Sequence, residues 1–316
     1  MQKQVSKIIV IMGPTASGKS GIAIKLAQKF NGEIISADSR QVYRGLNIGA
    51  GKIPRQLTTI NSQLSTKNTY FSENIPHHLI DVAEPMEDYN ISHFKKDAEK
   101  IIKEIIGREK TPIICGGTNF WIDSITKNTI IPEVAPDELL RSMLRSKTTE
   151  ELFEELKKID PERAKNIDAK NPVRLIRAIE ICKALGTVPK LSVVSCESSV
   201  KKYDFLQIGI KTEREELNAK IQKRLDERFN EGMINEVENL HKNGVSWEWM
   251  ERIGLEYRWI SRFLQNKVEL EEMKKLLYFD IIHFAKRQMT WLKRNKNIIW
   301  LEKYDDIEKE VASFLE

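Results

Sequence analysis

Gly13-Pro14-Thr15-Ala16-Ser17-Gly18-Lys19-Ser20 follows the apolar run Ile8-Ile9-Val10-Ile11-Met12 and precedes a helical spacing of apolar residues at Ile22, Leu26, Ala27 and Phe30. The stretch fits G-x-x-x-x-G-K-[ST] and stands in the strand-loop-helix context that gives this pattern its meaning. Its glycines let the backbone curl so that successive N–H groups face an anion at the positive end of the helix. Lys19 is then placed to neutralise the outer phosphate of a di- or triphosphate, and the Ser20 hydroxyl to bind Mg²⁺. A diphosphate ester and a nucleoside triphosphate offer this loop similar oxygens, so the loop alone does not choose between them.

Outward from the loop, Asn31-Gly32 marks a turn and Glu33-Ile34-Ile35-Ser36-Ala37 reads as a second buried strand. It ends in Asp38-Ser39-Arg40-Gln41-Val42-Tyr43-Arg44-Gly45, polar side chains at the carboxyl end of a strand, where open α/β sheets bind ligands. The plainer alternative for Asp38 is a helix N-cap. Leu46 to Leu79 shows little periodicity and reads as an irregular region over the site. Phe94, Ala98, Ile101, Ile102 and Ile105 predict a helix closed by Lys110-Thr111-Pro112. The short strand Ile113-Ile114-Cys115 then leads into Gly116-Gly117-Thr118, either a tight strand exit or a close backbone approach to a ligand. The order of strands and helices implies a parallel sheet with helices on both faces.

From Ile122 to about Val200 helical signals replace strand signals, which predicts a helical insertion. Its best element, Pro172-Val173-Arg174-Leu175-Ile176-Arg177-Ala178-Ile179-Glu180, has proline in the first turn and Gly186 as a stop. Arg174 and Arg177 share a face, which could be solvated with Arg177 paired to Glu180. Phe205-Leu206-Gln207-Ile208-Gly209-Ile210 returns the chain to the sheet, and helices follow up to Gly232, up to Gly244, after Arg252 and from Leu270 to Asn295. In the last of these Arg287, Thr290 and Arg294 lie on one face beside Trp291. Such a face suits RNA, since arginines contact phosphates and an indole can stack on an unpaired base; a solvated basic helix anchored by its tryptophan is the alternative. The expected fold is α/β: a P-loop core of residues 1–121 and 201–316 with a helical C-terminal part, and a helical insertion at residues 122–200.

The 316 residues, 41% hydrophobic and 31% charged, suffice for a full core and argue against disorder. A net charge of +5 is compatible with a polyanionic partner. Cys115, Cys182 and Cys196 lie far apart with no C-x-x-C spacing, and the five histidines show no metal-ligand spacing either. That fits a reduced interior better than a disulfide framework or a zinc site. The chain enters its first strand almost at once and has no apolar run near the ~20 residues that span a bilayer. A cytoplasmic monomer is expected.

Together these stretches resemble the bacterial tRNA dimethylallyltransferases, also called tRNA isopentenyltransferases. The resemblance rests on Gly13 to Ser20, Asp38 to Gly45, Ile75-Pro76-His77-His78-Leu79-Ile80-Asp81-Val82, Gly116-Gly117-Thr118, Arg174 to Glu180, and Ala285-Lys286-Arg287-Gln288-Met289-Thr290-Trp291-Leu292, in the family's order over nearly the whole chain. It implies that Gly13, Pro14, Thr15, Ala16, Ser17, Gly18, Lys19 and Ser20 hold the diphosphate of dimethylallyl diphosphate with Mg²⁺ on Ser20. It implies catalytic roles for Asp38, Thr15, Lys19 and Arg177. It also implies a tRNA path along Asp38, Ser39, Arg40, Gln41 and Thr118. That path continues over Arg141, Val173, Arg174, Leu175, Ile176 and Arg177, over Arg252, Ile253, Gly254, Leu255, Glu256 and Tyr257, and over Lys286, Arg287, Gln288, Thr290, Trp291 and Arg294. In the family the insertion grips the anticodon stem-loop, and a prenyl group goes to the adenosine just 3′ of the anticodon. This chain departs from the pattern at Ala50, at Asn119-Phe120-Trp121, where the family has Gly-Leu-Tyr, and at Leu255, commonly tyrosine.

Allylic transfer needs a stabilised leaving diphosphate and an activated amine. The adenine exocyclic amine is a poor nucleophile, and taking its proton is a general-base task that suits Asp38. A purine inside a duplex could not reach such a site, so the target must be flipped out of a loop. Two other enzymes share much of this layout: a P-loop small-molecule kinase, and an adenylate isopentenyltransferase acting on free nucleotide. Gly116-Gly117-Thr118 lacks the acidic residue that would complete a kinase metal site there. The basic C-terminal helix and long insertion favour tRNA over free nucleotide.

Overall fold

The structure, a computed structural model, describes residues 5–56, 69–189 and 203–316. Internal contacts divide them into two compact units: one holds the described residues up to Thr126 and from Tyr203 onward, the other begins at Lys127. The return boundary expected near residue 200, and Cys196, lie outside the described residues.

The first unit is built on strands β1 (Ser6–Met12), β2 (Gly32–Ala37), β3 (Tyr70–Ser72), β4 (Ile75–His78), β5 (Thr111–Gly116), β6 (Tyr203–Ile210) and β7 (Ile298–Leu301). They form one sheet in the order β3-β4-β2-β5-β1-β6-β7, in which every pairing is parallel except the β3–β4 hairpin. Its helices are α1 (Lys19–Lys29), α2 (Ile91–Gly107) and α3 (Asn119–Thr126). The second unit supplies α4 (Glu138–Arg145), α5 (Thr149–Ile159), α6 (Pro161–Ala164) and α7 (Pro172–Leu185). The first unit resumes with α8 (Arg214–Asn230), α9 (Met233–Lys242), α10 (Trp247–Ile253), α11 (Leu255–Leu264), α12 (Leu270–Leu292) and α13 (Tyr304–Leu315).

The unbroken apolar run of β1 is explained by burial on both faces. Alternate side chains go to opposite cores: Ile8, Val10 and Met12 join Phe94, Trp121 and Leu277, while Ile9 and Ile11 join Leu26, Ile113 and Val311. Each such side chain contributes roughly 1.5–3 kcal/mol by leaving water. The register Met12↔Gly116 and Ala37↔Gly116 brings the carboxyl ends of β1, β5 and β2 level. The P-loop, Asp38 and Gly117-Thr118 therefore leave the sheet along one edge, the place where such sheets bind ligands.

Several expectations are corrected. Leu46 to Leu79 is not wholly irregular: Tyr70–Ser72 and Ile75–His78 form the β3–β4 hairpin, and β4 pairs with β2 despite Pro76; residues 57–68 lie outside the described ones. Helix α2 stops at Gly107, and Thr111-Pro112 already belongs to β5. Helix α12 ends at Leu292, so Arg294 lies in the turn beyond it, its N–H bonded to the Trp291 carbonyl at 3.1 Å. Helix α3, which begins inside the first unit at Asn119, stays there to Thr126, so the division falls after Thr126 rather than after residue 121. Strand β7 and helix α13 had no clear sequence signal.

In the second unit, α5 and α7 pack Leu152, Leu156, Leu175, Ala178 and Ile179 into a core of their own. The expected ends of α7 are present: Asn171 caps its start through Arg174 N at 3.1 Å, Pro172 occupies the first turn, and Gly186 follows with φ 84°.

Candidate active site at the carboxyl edge of the sheet

The P-loop owes its shape to Gly18, which sits at the N-cap of α1 with φ 83°, a conformation that side-chain-bearing residues reach only with strain. Ser17 N–H donates to the Pro14 carbonyl at 3.3 Å, and Lys19 Nζ reaches the same oxygen at 3.2 Å. Gln288 on α12 ties the loop to its surroundings. Its Oε1 accepts from Thr15 N at 2.8 Å, and its Nε2 donates to the Gly117 carbonyl at 2.8 Å. Asn119 Nδ2 in turn donates to the Gln288 carbonyl at 3.1 Å. Gln288, expected on the tRNA path, is buried, lines the cleft and acts as a strut between the P-loop and the residues just after β5. The two glycines after Cys115 also serve packing: a Cβ on Gly116 would run into the Ala37 carbonyl, and one on Gly117 would lie 2.5 Å from Gln288 Nε2.

Asp38 caps no helix. Its Oδ1 accepts from Arg40 N at 3.0 Å and closes a turn, while Oδ2 has no hydrogen-bond partner among the described residues. Thr118 fixes this turn from the neighbouring strand, with Ser39 N donating to Thr118 Oγ1 at 3.0 Å and Thr118 N to the Ala37 carbonyl at 3.1 Å. Asp38 thereby lines a cleft of about 500 Å³, mouth included, together with Thr15, Lys19, Ser20, Arg40 and Arg224. Burial lowers the Lys19 pKa, opposed only in part by the Asp38 carboxylate. Burial likewise brings Arg224 down to about 10, with Arg228 adding to the effect. The Cys115 thiol, pushed up to about 11 by burial, stays protonated. The cleft is thus a buried, cation-rich place whose charges lack a full set of counter-ions, and an anion would satisfy them.

Arg224 and Arg228 were not singled out from the sequence, because basic residues one turn apart on a helix with exposed lysines read as solvated. Glu256 reveals them. It lies buried between Arg40 Nη1 at 2.5 Å and Arg228 Nη1 at 2.8 Å, and burial, which would raise its pKa, is overcome by these two cations. Arg224 Nη2 donates to the Gly51 carbonyl at 3.2 Å. Beside it, Glu236 gathers the loop that carries Gly51: Oε2 accepts from Asn47 N and Ile48 N, and Oε1 from Gly49 N and the Tyr257 hydroxyl, all between 2.7 and 3.0 Å. The Tyr257 oxygen also accepts from Ala50 N at 3.0 Å. Glu256 and Tyr257, expected on the tRNA path, are buried, and they hold Arg40, Arg228 and Ala50, which line the cleft. Tyr257→Phe leaves Ala50 N unpaired and should lower stability by about 1–3 kcal/mol. Urea denaturation of the two proteins checks this; equal midpoints would mean that the hydroxyl is not holding the loop.

The remaining expected residues divide by exposure. Lys286, Arg287, Thr290 and Arg294 are exposed, and Thr290 Oγ1 donates to the Lys286 carbonyl at 2.9 Å. Trp291 is half-buried, its Nε1 donating to Asp123 Oδ2 at 2.9 Å. Arg252 is exposed, Ile253 half-buried, and Gly254 and Leu255 buried where α10 passes into α11. In the second unit, buried Glu180 holds Arg141 through Nε at 2.8 Å and Nη2 at 3.0 Å and also pairs with Arg177 Nη1. Arg177 Nη2 donates to the Val134 carbonyl at 2.9 Å. Val173 and Arg174 are exposed and Ile176 is half-buried, whereas Leu175 is wholly buried in the α5–α7 core and presents no surface.

A model of the IPP transferase family matches residues 41–295. The tRNA dimethylallyltransferase 2 of Treponema denticola is 39% identical over 289 residues, 90% of this chain and 91% of that protein. The tRNA dimethylallyltransferase of Pelotomaculum thermopropionicum is 36% identical over 306 residues, 95% of this chain and 93% of its own. Among solved structures, the full-length tRNA isopentenylpyrophosphate transferase of Bacillus halodurans matches with a TM-score of 0.69 and 31% identity, covering 98% of this chain and 97% of that one. A eukaryotic dimethylallyltransferase captured acting on tRNA matches with a TM-score of 0.75 and 27% identity, covering 94% of this chain and 74% of the other. The family match spans most of the chain and the similarity to relatives nearly all of it: the protein belongs to the IPP transferase family.

Proposed function

We propose that this protein transfers a dimethylallyl group from dimethylallyl diphosphate to the exocyclic amine of adenosine 37 of tRNA, the residue 3′-adjacent to the anticodon. The observation that carries this reading is one cleft lined both by the P-loop residues Lys19 and Ser20 and by Asp38, a carboxylate whose Oδ2 has no hydrogen-bond partner among the described residues. The bond between the allylic carbon and the diphosphate oxygen breaks, and the electron pair leaves with the diphosphate. The amine lone pair forms the new C–N bond, and the proton it sheds goes to Asp38. P-loop N–H groups, Lys19 and Arg224 surround the oxygens on which charge grows, which is where preorganised donors lower a barrier most.

Among the described residues no group of three His, Cys, Asp or Glu side chains could hold a metal ion alone. The donor set fits Mg²⁺ that arrives with the diphosphate, since this ion keeps waters and takes much of its coordination from substrate phosphates. Ser20 would be its protein ligand, and when bound the ion adds Lewis-acid stabilisation of the leaving group. Exposed Lys286, Arg287, Thr290 and Arg294, with Arg252 and the Asp38–Gln41 turn, form the first unit's share of the tRNA path. Arg141, Val173, Arg174, Ile176 and Arg177 form the second unit's share, with Arg141 and Arg177 already oriented by Glu180.

Incubating the protein with radiolabelled dimethylallyl diphosphate or γ-labelled ATP, with and without unmodified tRNA, tests the reading. Label should pass to tRNA from dimethylallyl diphosphate alone. Phosphoryl transfer from ATP, or prenylation of free adenine nucleotide in preference to tRNA, would overturn it.

A further inference from the structure

The basic face of α12 draws attention to Trp291, yet its indole is committed: Nε1 donates to Asp123 and the ring is half-buried. The ring left outside is its neighbour. Phe120 is 39% exposed and meets Trp291 edge-to-face, centroids 6.1 Å apart at 68°. The next residue, Trp121, is 5% exposed and stacks on Phe94 at 4.6 Å. The first turn of α3 thus sends one aromatic into the core and holds the other out, fixed by the tryptophan behind it.

Its place in the chain ties Phe120 to the cleft. Thr118, two residues earlier, holds the Asp38–Arg40 turn through Ser39 N, and Asn119 is bonded to Gln288, which holds the P-loop. Arg287 lies one helical turn before Trp291, and Arg294 just past the end of α12, both exposed. An exposed apolar ring held against the basic face of α12, two residues after the threonine that fixes the Asp38–Arg40 turn, has the chemistry of a single-stranded nucleic-acid contact, in which cations take phosphates and an aromatic takes a base. We infer that Phe120 is the stacking platform for the unpaired nucleotide flanking the target adenosine. This rests on the tRNA reading and adds to it the residue that holds the loop open beside the flipped base. Because the ring is held by Trp291 before binding, little side-chain freedom is lost on stacking.

The experiment uses the 316-residue protein and a tRNA carrying 2-aminopurine at the nucleotide next to the target. Wild type should quench the probe on binding. Phe120→Leu, which keeps apolar bulk but no ring, and Phe120→Ala should abolish the quench and weaken binding by roughly tenfold to a hundredfold, in line with loss of one stacked base. Phe120→Tyr should restore both. The slope of log affinity against log salt should stay at the wild-type value in all three, whereas replacing Arg287 and Arg294 with alanine should reduce it by about one unit per lost phosphate contact. Wild-type quench and affinity in Phe120→Leu would overturn the inference, as would a loss that Phe120→Tyr does not restore. Failure of the tRNA reading itself would look different, because wild type would then neither bind the tRNA nor quench the probe.

Discussion

Asp38→Asn should slow prenyl transfer by ~10²–10⁴-fold in a single turnover with saturating tRNA and dimethylallyl diphosphate, the range over which a positioned base acts. Asparagine keeps the size of the side chain and an oxygen in the place of Oδ1, so it can still accept from Arg40 N and close the turn. Thr118, just beyond β5, holds the same turn, so the fold and tRNA affinity should survive. What the amide cannot do is take a proton at the position of Oδ2. A side chain that served the turn alone would be replaced by asparagine at almost no cost. A mutant rate within a few-fold of wild type would therefore remove Asp38 from proton transfer.

Lys19→Ala should reduce turnover on the order of a hundredfold or more, as loss of a preorganised charge at a developing oxyanion does. The ammonium is held at the start of α1 by one carbonyl, that of Pro14, and burial lowers its pKa, so its charge is poorly compensated until an anion enters. The diphosphate is that anion in this account, and it gains negative charge as the C–O bond breaks. The effect should fall on turnover and on affinity for the prenyl donor, with tRNA affinity within a few-fold of wild type. Severe loss of tRNA binding with normal turnover at saturation would place Lys19 on the RNA instead.

The parts of the site that the sequence reveals are those formed by contiguous residues. Gly13 to Ser20 announces itself because one short loop must supply the turn, the amides, the cation and the hydroxyl together. Asp38 and Gly116-Gly117-Thr118 follow from strand ends that the parallel register brings level. The β3–β4 hairpin was illegible because its strands are short, one contains Pro76, and its turn places Glu73 at φ 49° as well as Asn74 at φ 62°, a conformation rarely signalled by glutamate. The buried charge network was illegible for another reason. Nothing local separates Arg224 and Arg228 from the exposed Lys220 and Lys223 beside them; distant partners do, the Gly51 carbonyl for Arg224 and Glu256 for Arg228. Glu256, Tyr257 and Gln288 are expected on the tRNA path from the family resemblance alone and are buried in the structure; a motif does not tell a side chain that touches RNA from one that holds the wall behind it. The same holds for Trp291, whose partner Asp123 lies on α3.

In the proposed reaction one cleft couples departure of a diphosphate to attack by the exocyclic amine of a loop adenosine. This coupling is tested most directly by reacting wild-type protein with deuterium-labelled dimethylallyl diphosphate and unmodified tRNA, digesting the RNA to nucleosides, and locating the label by mass spectrometry. The expected product is N6-dimethylallyladenosine from the single position 3′ of the anticodon, with one diphosphate released per group transferred. Label on any other atom or nucleotide, or diphosphate release with no label in the tRNA, would contradict it.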